Sequence, residues 1–271
     1  MRWGWLAGLI VAACGGRVGD GEDVTSGHAG PAPAPVPAPT ATALPPVVAP
    51  AAPPDPCATA ALCDDFDGPL PKFFRAFDDP YIDTGASLEA AIDDRLSAPN
   101  ALRALLPAGK TNAYIRRRIP ATASHRLSFA FSLHADIGAD QAYLAVASIT
   151  VLSPDLRQPP NRSIVVAFAN GKPELVMTQV PGQSSNVVVP FTSSLAKTWT
   201  RLRVEADFTA GTVQVIADDR VVVATTPSIN DASADGFYLA VGASSSVGAP
   251  SPQEATAAAD LRFDDAIAFW R

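Results

Sequence analysis

The sequence predicts an all-β domain, a two-sheet antiparallel sandwich, set behind an exported N-terminus and a proline-rich spacer. Three observations carry this expectation. From Arg201 to Phe208 the residues alternate strictly, with Leu202, Val204, Ala206 and Phe208 on one side and Arg201, Arg203, Glu205 and Asp207 on the other, which is the period of a half-buried strand. After the turn residues Thr209-Ala210-Gly211 and again after Asp218-Asp219-Arg220, two more short β-rich runs follow, Thr212–Ala217 and Val221–Thr225, so the stretch reads as an antiparallel meander. Similar runs recur along the rest of Cys57–Arg271 with no reliable helical pattern between them.

The N-terminus reads MRWGWLAGLIVAAC: one Arg2, an apolar run from Trp3 to Ala13, then small residues before Cys14. The run is too short to span a bilayer and fits a secretory signal over residues 1–13. Val11-Ala12-Ala13-Cys14 resembles the lipobox of bacterial lipoproteins, in which the chain is cut before the cysteine and the thiol is acylated. That resemblance implies a lipid anchor at Cys14 and a place in the bacterial cell envelope. Gly15 in the next position implies outer-membrane retention in a Gram-negative cell. Several acyl chains at one residue would hold stably, each buried CH₂ adding about 0.8 kcal/mol.

Residues 14–56 form the expected spacer. Between Gly30 and Pro56, eleven of 27 residues are proline, interleaved with alanine. Proline fixes φ and removes donors, so the segment favours extended polyproline II over any core. At about 3.1 Å per residue it would reach roughly 80 Å.

The 215 residues from Cys57 to Arg271 are one domain by size. After the segment Cys63–Asp67, the strand candidates are Phe73–Phe77, Ser87–Ile92, Ala101–Leu106, Ala113–Ile119, Arg126–Ala135, Ala142–Val151, Ser163–Ala169, Glu174–Gln179 and Asn186–Val189. The meander comes next, then Gly236–Val241 and Ala257–Phe269. Turn chemistry separates them at Ser97-Ala98-Pro99-Asn100, Pro159-Pro160-Asn161, Asn170-Gly171, Pro181-Gly182 and Asn230-Asp231. Only 86–96 also fits a helical stripe.

Net charge of −7 and a pI near 4.9 argue against a nucleic-acid partner. The one basic run, Arg116-Arg117-Arg118, has no basic flank and reads as a strand face with a rim position.

CDDFDG at Cys63–Gly68, SAPNALR at Ser97–Arg103, the central meander and LRFDDAIAF at Leu261–Phe269 resemble, in that order and spacing, the concanavalin A-like lectin and glucanase superfamily. The resemblance implies a jelly roll of two curved sheets, with glycans bound or cut on a concave face. Its laminarinase-like members carry Glu-x-Asp-x-x-Glu on one strand, where two carboxylates about 5 Å apart serve as nucleophile and acid. Here Glu205 and Asp207 match but the third position is Ala210, so no catalytic residue is assigned. Glu205 and Asp207, with Arg201 and Arg203, read as a charged strand face.

His125 and His134 are nine residues apart and have no metal-pair spacing, and no serine sits in a nucleophile elbow. Of the aromatic faces that could carry a sugar, Phe73, Phe74, Tyr81, Tyr114, Tyr143, Trp199, Tyr238 and Trp270, Tyr143 and Tyr238 are the chosen ligand-binding candidates, alongside Arg201, Arg203 and Glu205. Trp199 and Trp270 read as packing. Three cysteines in an exported chain leave an odd one, which acylation of Cys14 removes; Cys57 and Cys63 are then expected to form a disulfide.

The resemblance also implies one structural calcium ion between the first and last strands. Alternation in Leu261–Phe269 puts Asp264 on a polar face and Asp265 among apolar residues, and Asp67 lies in the first segment, so these three are the metal candidates. The alternative is a solvated Asp264 with Asp265 accepting a backbone hydrogen bond. Together these readings point to a lipid-anchored, non-catalytic module that binds glycan or a surface partner. A divergent glycoside hydrolase or polysaccharide lyase, and a purely structural surface protein, are the alternatives.

Overall fold

The computed structural model describes residues 56–68, 74–93, 95–97, 99–120, 125–152, 162–178, 186–195, 198–226, 236–247 and 254–270. They belong to one compact unit, residues 52–271. The expected signal peptide, Cys14 and residues 15–55 of the expected spacer lie outside the described residues, as do the turns expected at 159–161, 181–182 and 230–231.

Among the described residues there are fifteen strands: β1 (Leu62–Asp64), β2 (Asp79–Ile82), β3 (Ser87–Ala91), β4 (Ala101–Leu106), β5 (Asn112–Pro120), β6 (Arg126–Ile137), β7 (Tyr143–Leu152), β8 (Ser163–Ala169), β9 (Lys172–Thr178), β10 (Val187–Pro190), β11 (Thr200–Asp207), β12 (Thr212–Ala217), β13 (Arg220–Thr225), β14 (Gly236–Ser244) and β15 (Ala259–Trp270). They form two antiparallel sheets. The first has the order β13-β12-β11-β6-β15-β4-β3, with β1 paired to the far end of β15; the second has the order β10-β9-β8-β7-β14-β5-β2. Both mix strands distant in sequence, so neither closes without the whole domain.

The inner faces meet in one core. Phe129, Phe131, Leu202, Val204 and Phe263 come from the first sheet; Ile115, Leu144, Ile149, Val166 and Leu239 come from the second. The alternation seen at 201–208 is borne out, since Leu202, Val204, Ala206 and Phe208 are all buried.

Two hairpins close through two-residue turns with both residues at positive φ, which matches the twist of the flanking strands. They are Asn170-Gly171 (49° and 72°) and Asp218-Asp219 (44° and 64°). The Asp207 carboxylate caps the β11–β12 turn by accepting from the amides of Thr209 and Ala210 at 3.0 and 2.8 Å. It is therefore a turn cap as well as a member of the charged face.

Two expectations need correction. Residues 74–78 are not a strand; the missed strand is β2, immediately after, and it contains Pro80, which an edge position tolerates. The strand expected at Ser87–Ile92 is borne out as β3, so the helical stripe that 86–96 also allowed is not used there. The alternation of Leu261–Phe269 breaks at Asp265, which has φ 50° and sits in a bulge against β6, between the pairs Asp264↔Ser132 and Ile267↔Ala130. One extra residue reverses every later side chain. Ala266 and Ala268 join the core, and Ile267 and Phe269 turn to the outer face.

Candidate functional site

The chemistry-bearing side chains lie on the two outer faces and at the seam between β1 and β15. On β5, Ala113, Ile115 and Ile119 point inward, which sends Tyr114, Arg116 and Arg118 outward. Tyr81 on β2 pairs with Tyr114, and the rings stack with centroids 5.1 Å apart and planes at 6°. The Arg116 guanidinium lies 4.3 Å from the ring centroids of both Tyr81 and Tyr238. Its Nε meets Asp79 Oδ2 at 2.7 Å, and its Nη2 donates to the Tyr81 hydroxyl at 2.5 Å. The partner of Arg116 across β14 is Ala240, whose small side chain leaves room for this arrangement. Tyr81 is 39% exposed, so the stack is open at one end.

Beyond this wall the face closes. The register sets Ala240, Ser148, Val165 and Val176 in one row across four strands, and all four are buried. Tyr238 leads a parallel row of hydroxyls, Thr150, Ser163 and Thr178, with Thr150 and Ser163 hydrogen-bonded at 3.1 Å. Gly242, at φ 136°, faces Tyr114; a Cβ there would lie 2.4 Å from the Tyr114 Cα. Tyr143 is 4% exposed and donates its hydroxyl to the Val247 carbonyl at 2.8 Å. Burial, and then Glu174, push its phenol pKa well up. Burial likewise raises the Glu174 carboxyl.

The outer face of the first sheet is more charged. Arg201 Nη1 donates to the Ser132 hydroxyl and to the Asp265 carbonyl, both at 3.2 Å, and lies 3.6 Å from the Asp265 carboxylate. Arg203 pairs with Glu205 at 3.2 Å, and Asp207 with Arg126 at 2.7 Å. Toward β3 an ion-pair row joins Glu89, Arg103, Asp260 and Arg262 at 2.6 to 3.3 Å. His134 sits beside it, against Arg262 and Trp199.

At the seam, buried carboxylates serve as acceptors. Asp64, 2% exposed, accepts from the amides of Phe66, Arg75 and Ala76 at 2.6 to 3.0 Å. Asp264, 0% exposed, accepts from the Ser97 amide at 2.7 Å, the Ser97 hydroxyl and its own following amide. Asp67 accepts from the Asn100 amide at 2.8 Å. Burial raises both Asp64 and Asp264 above the usual carboxylate range, against the opposing pull of these amides. The Cys63–Asp67, Ser97–Asn100 and Asp264 segments thus hold the terminal strands together. Cys57 and Cys63 are bonded, with Cα atoms 5.5 Å apart.

Among the described residues no group of three or more His, Cys, Asp or Glu is placed to hold a metal. Asp67 and Asp264 both meet the 97–100 loop, and an oxygen that accepts one amide keeps a second lone pair. The set is compatible with a cation only if carbonyls or water supply further ligands. Asp265 is turned to Arg201 and is not part of it, contrary to the strict alternation expected of β15.

The five predicted ligand-binding residues therefore divide. Tyr143 and Tyr238 lie on the second sheet, Arg201, Arg203 and Glu205 on the first, and no single site contains them. Tyr143 is buried and cannot serve as an open platform. Tyr81 and Tyr114, aromatic candidates passed over in favour of Tyr143 and Tyr238, are instead brought together beside Arg116; the period of Tyr114-x-Arg116 was legible, but Tyr81 stands on the strand that the sequence did not mark.

No protein-family model matches the chain, and no curated protein matches it. Solved structures do. The chain is similar to an endo-beta-1,4-glucuronan lyase from the fungus Trichoderma reesei, with TM-score 0.58 and 12% identity over 79% of this chain and 96% of that one. It is similar to the cellulose induced protein Cip1, with TM-score 0.55 and 11% identity over 78% and 97%. It also resembles the binding domain of botulinum neurotoxin DC, determined in complex with rat synaptotagmin II, with TM-score 0.51 and 7% identity over 80% of this chain and 49% of that one. At these identities the likeness shows the fold alone: the described domain is a two-sheet antiparallel jelly-roll sandwich of the concanavalin A-like type.

Proposed function

We propose that this protein is a lipid-anchored, extracytoplasmic, non-catalytic module that binds glycan through the outer face of its second sheet. The observation that carries the reading is the stack Tyr114, Tyr81, Arg116, Tyr238. Aromatic faces suit the C–H faces of sugar rings, and a guanidinium held between them offers donors to hydroxyl or carboxylate oxygens. That one similar structure is a glucuronan lyase and another a cellulose induced protein supports a carbohydrate ligand.

The carboxylates on this face support binding over hydrolysis. Asp79 on β2 and Glu174 on β9 are five strand spacings apart, about 24 Å, whereas glycosidic hydrolysis needs two carboxyls within about 5–10 Å. On the opposite sheet, Glu205 is ion-paired with Arg203, and Asp207, two residues on, is committed to the β11–β12 turn. A lyase is the second reading, favoured by one contact: a phenol, Tyr81, directly beside a guanidinium. Membrane attachment rests on the Cys14 motif, and a calcium ion at the seam on the arrangement of Asp67 and Asp264.

A glycan array probed with residues 52–271, which form a compact unit, should show at least one bound class. Tyr81→Ala and Tyr238→Ala should each weaken it about tenfold or more. No bound glycan would refute the reading. Release of unsaturated chain ends from polyuronates by the wild-type domain, lost in Arg116→Gln, would replace it with the lyase.

A further inference from the structure

The outer face of the first sheet holds a cleft of about 500 Å³ that the glycan reading does not use. Register builds its floor: Ile216 on β12, Arg203 on β11, Ala130 on β6 and Ile267 on β15 stand in one cross-strand row. Ala130, between larger neighbours, makes the depression, and the bulge at Asp265 turns Ile267 and Phe269 into it. The Cys57–Cys63 disulfide and Asp219, from the β12–β13 turn, complete the walls.

The charges around this floor are unequally committed. Arg201 is engaged by Ser132 and Asp265. Asp65 accepts from the Asp67 amide at 3.1 Å. Arg203, by contrast, contacts only Glu205 among the described residues, and its Nε is buried without hydrogen-bond geometry. No described residue pairs with Asp219, which also lines the cleft. One guanidinium fork and one carboxylate are therefore open, with aliphatic and aromatic surface around them.

We propose that this cleft binds a short zwitterionic peptide with an apolar side chain, its carboxylate taken by Arg203, its ammonium by Asp219 and its side chain by Ile216, Ile267 and Phe269. A planar guanidinium matches a carboxylate bidentately. The volume, and an apolar floor of Ala130, Ile216, Ile267 and Phe269 rimmed by charged groups, suit a small dipolar molecule. A simple anion would meet the carboxylates of Asp65, Asp219 and Asp265, and a simple cation would meet two guanidinium groups; a dipolar ligand satisfies both signs.

The test is calorimetric titration of the full chain with the tripeptide alanyl-leucyl-alanine, its C-terminal amide and its N-acetyl form. The free tripeptide should bind, the amide about tenfold or more weaker, and the N-acetyl form weaker as well. Arg203→Gln should lower affinity for the free tripeptide to that for the amide, and leave the amide unchanged. Arg203→Lys, which keeps the charge but not the fork, should fall between. Tyr81→Ala should change nothing here, which separates this site from the glycan surface. Absence of binding at millimolar tripeptide, or equal affinity for the free acid and the amide, would overturn the proposal; the comparison among ligands holds even if a variant fails to fold.

Discussion

Asp64 and Asp264 are buried carboxylates whose surrounding donors offset part of the cost of burial, which still outweighs them and raises both groups. Asp64→Ala would leave the amides of Phe66, Arg75 and Ala76 without an acceptor, and a loss of about 3 kcal/mol is expected in urea denaturation. The pH dependence has a definite sign. Asp64 and Asp264 are raised by burial, so their contribution to stability is present below the ordinary carboxylate value of about 3.9 and lost as pH rises through the raised values. Asp83 and Asp207 are lowered, Asp83 chiefly by the Thr111 hydroxyl and Asp207 chiefly by the Ala210 amide. Their contribution is present above about 3.9 and lost as pH falls through the lowered values. Stability should therefore rise as pH falls from neutrality toward the ordinary carboxylate range and decline below it, with Asp264→Asn reducing the rise. Denaturation midpoints across that range decide the matter; a rise unchanged in Asp264→Asn would show that Asp264 does not contribute.

At the level of elements, two local irregularities decide what the strands present. The positive φ at Asp265 reverses the facing of the end of β15 and so creates the Ile267 and Phe269 side of the cleft. Asp265→Val, β-branched at a left-handed position, is expected to cost about 1–3 kcal/mol, whereas Asp265→Gly should be nearly neutral because glycine accepts that φ. Gly242 is the counterpart on the other sheet. Gly242→Ala would bring Cβ within 2.4 to 2.6 Å of Tyr114 and the Ala113 carbonyl, so a loss above about 2 kcal/mol is expected, with disturbance of the Tyr81–Tyr114 stack visible in near-ultraviolet circular dichroism. The period-2 pattern of β11 was legible because nothing interrupts it. Neither the bulge at Asp265 nor β2 was, because a bulge is set by the pairing strand and β2 is a short edge strand held by Asp79–Arg116 and Tyr81–Tyr114 contacts to β5.

For the molecule as a whole, the termini of the domain are tied by the β1–β15 pairing, the amide-loaded carboxylates and one disulfide. The Cys57–Cys63 loop is short, so a Cys57→Ser, Cys63→Ser double variant should lose about 2 kcal/mol and remain folded. Calcium at this seam, if bound at a hundredfold excess over its Kd, would add about 2.7 kcal/mol. Melting with calcium and then with chelator should give midpoints several degrees apart, and Asp264→Ala should abolish the difference; coincident midpoints would dismiss the ion. For the anchor, Cys14→Ser should move the protein from the detergent to the aqueous fraction after phase separation.

Local period, turn chemistry and cysteine arithmetic were enough to read the fold class, the Asn170-Gly171 and Asp218-Asp219 turns, the Cys57–Cys63 pair and the inward residues of β11. The sequence also singled out the segments at Cys63–Asp67, Ser97–Asn100 and Leu261–Phe269 that meet at the seam. The burial of Tyr143, the flanking of Arg116 by Tyr81 and Tyr238, and the opening of Arg203 and Asp219 onto one cleft arise in the assembled sheets alone. Each of these depends on register between strands far apart in the chain, which alternation within one strand cannot encode.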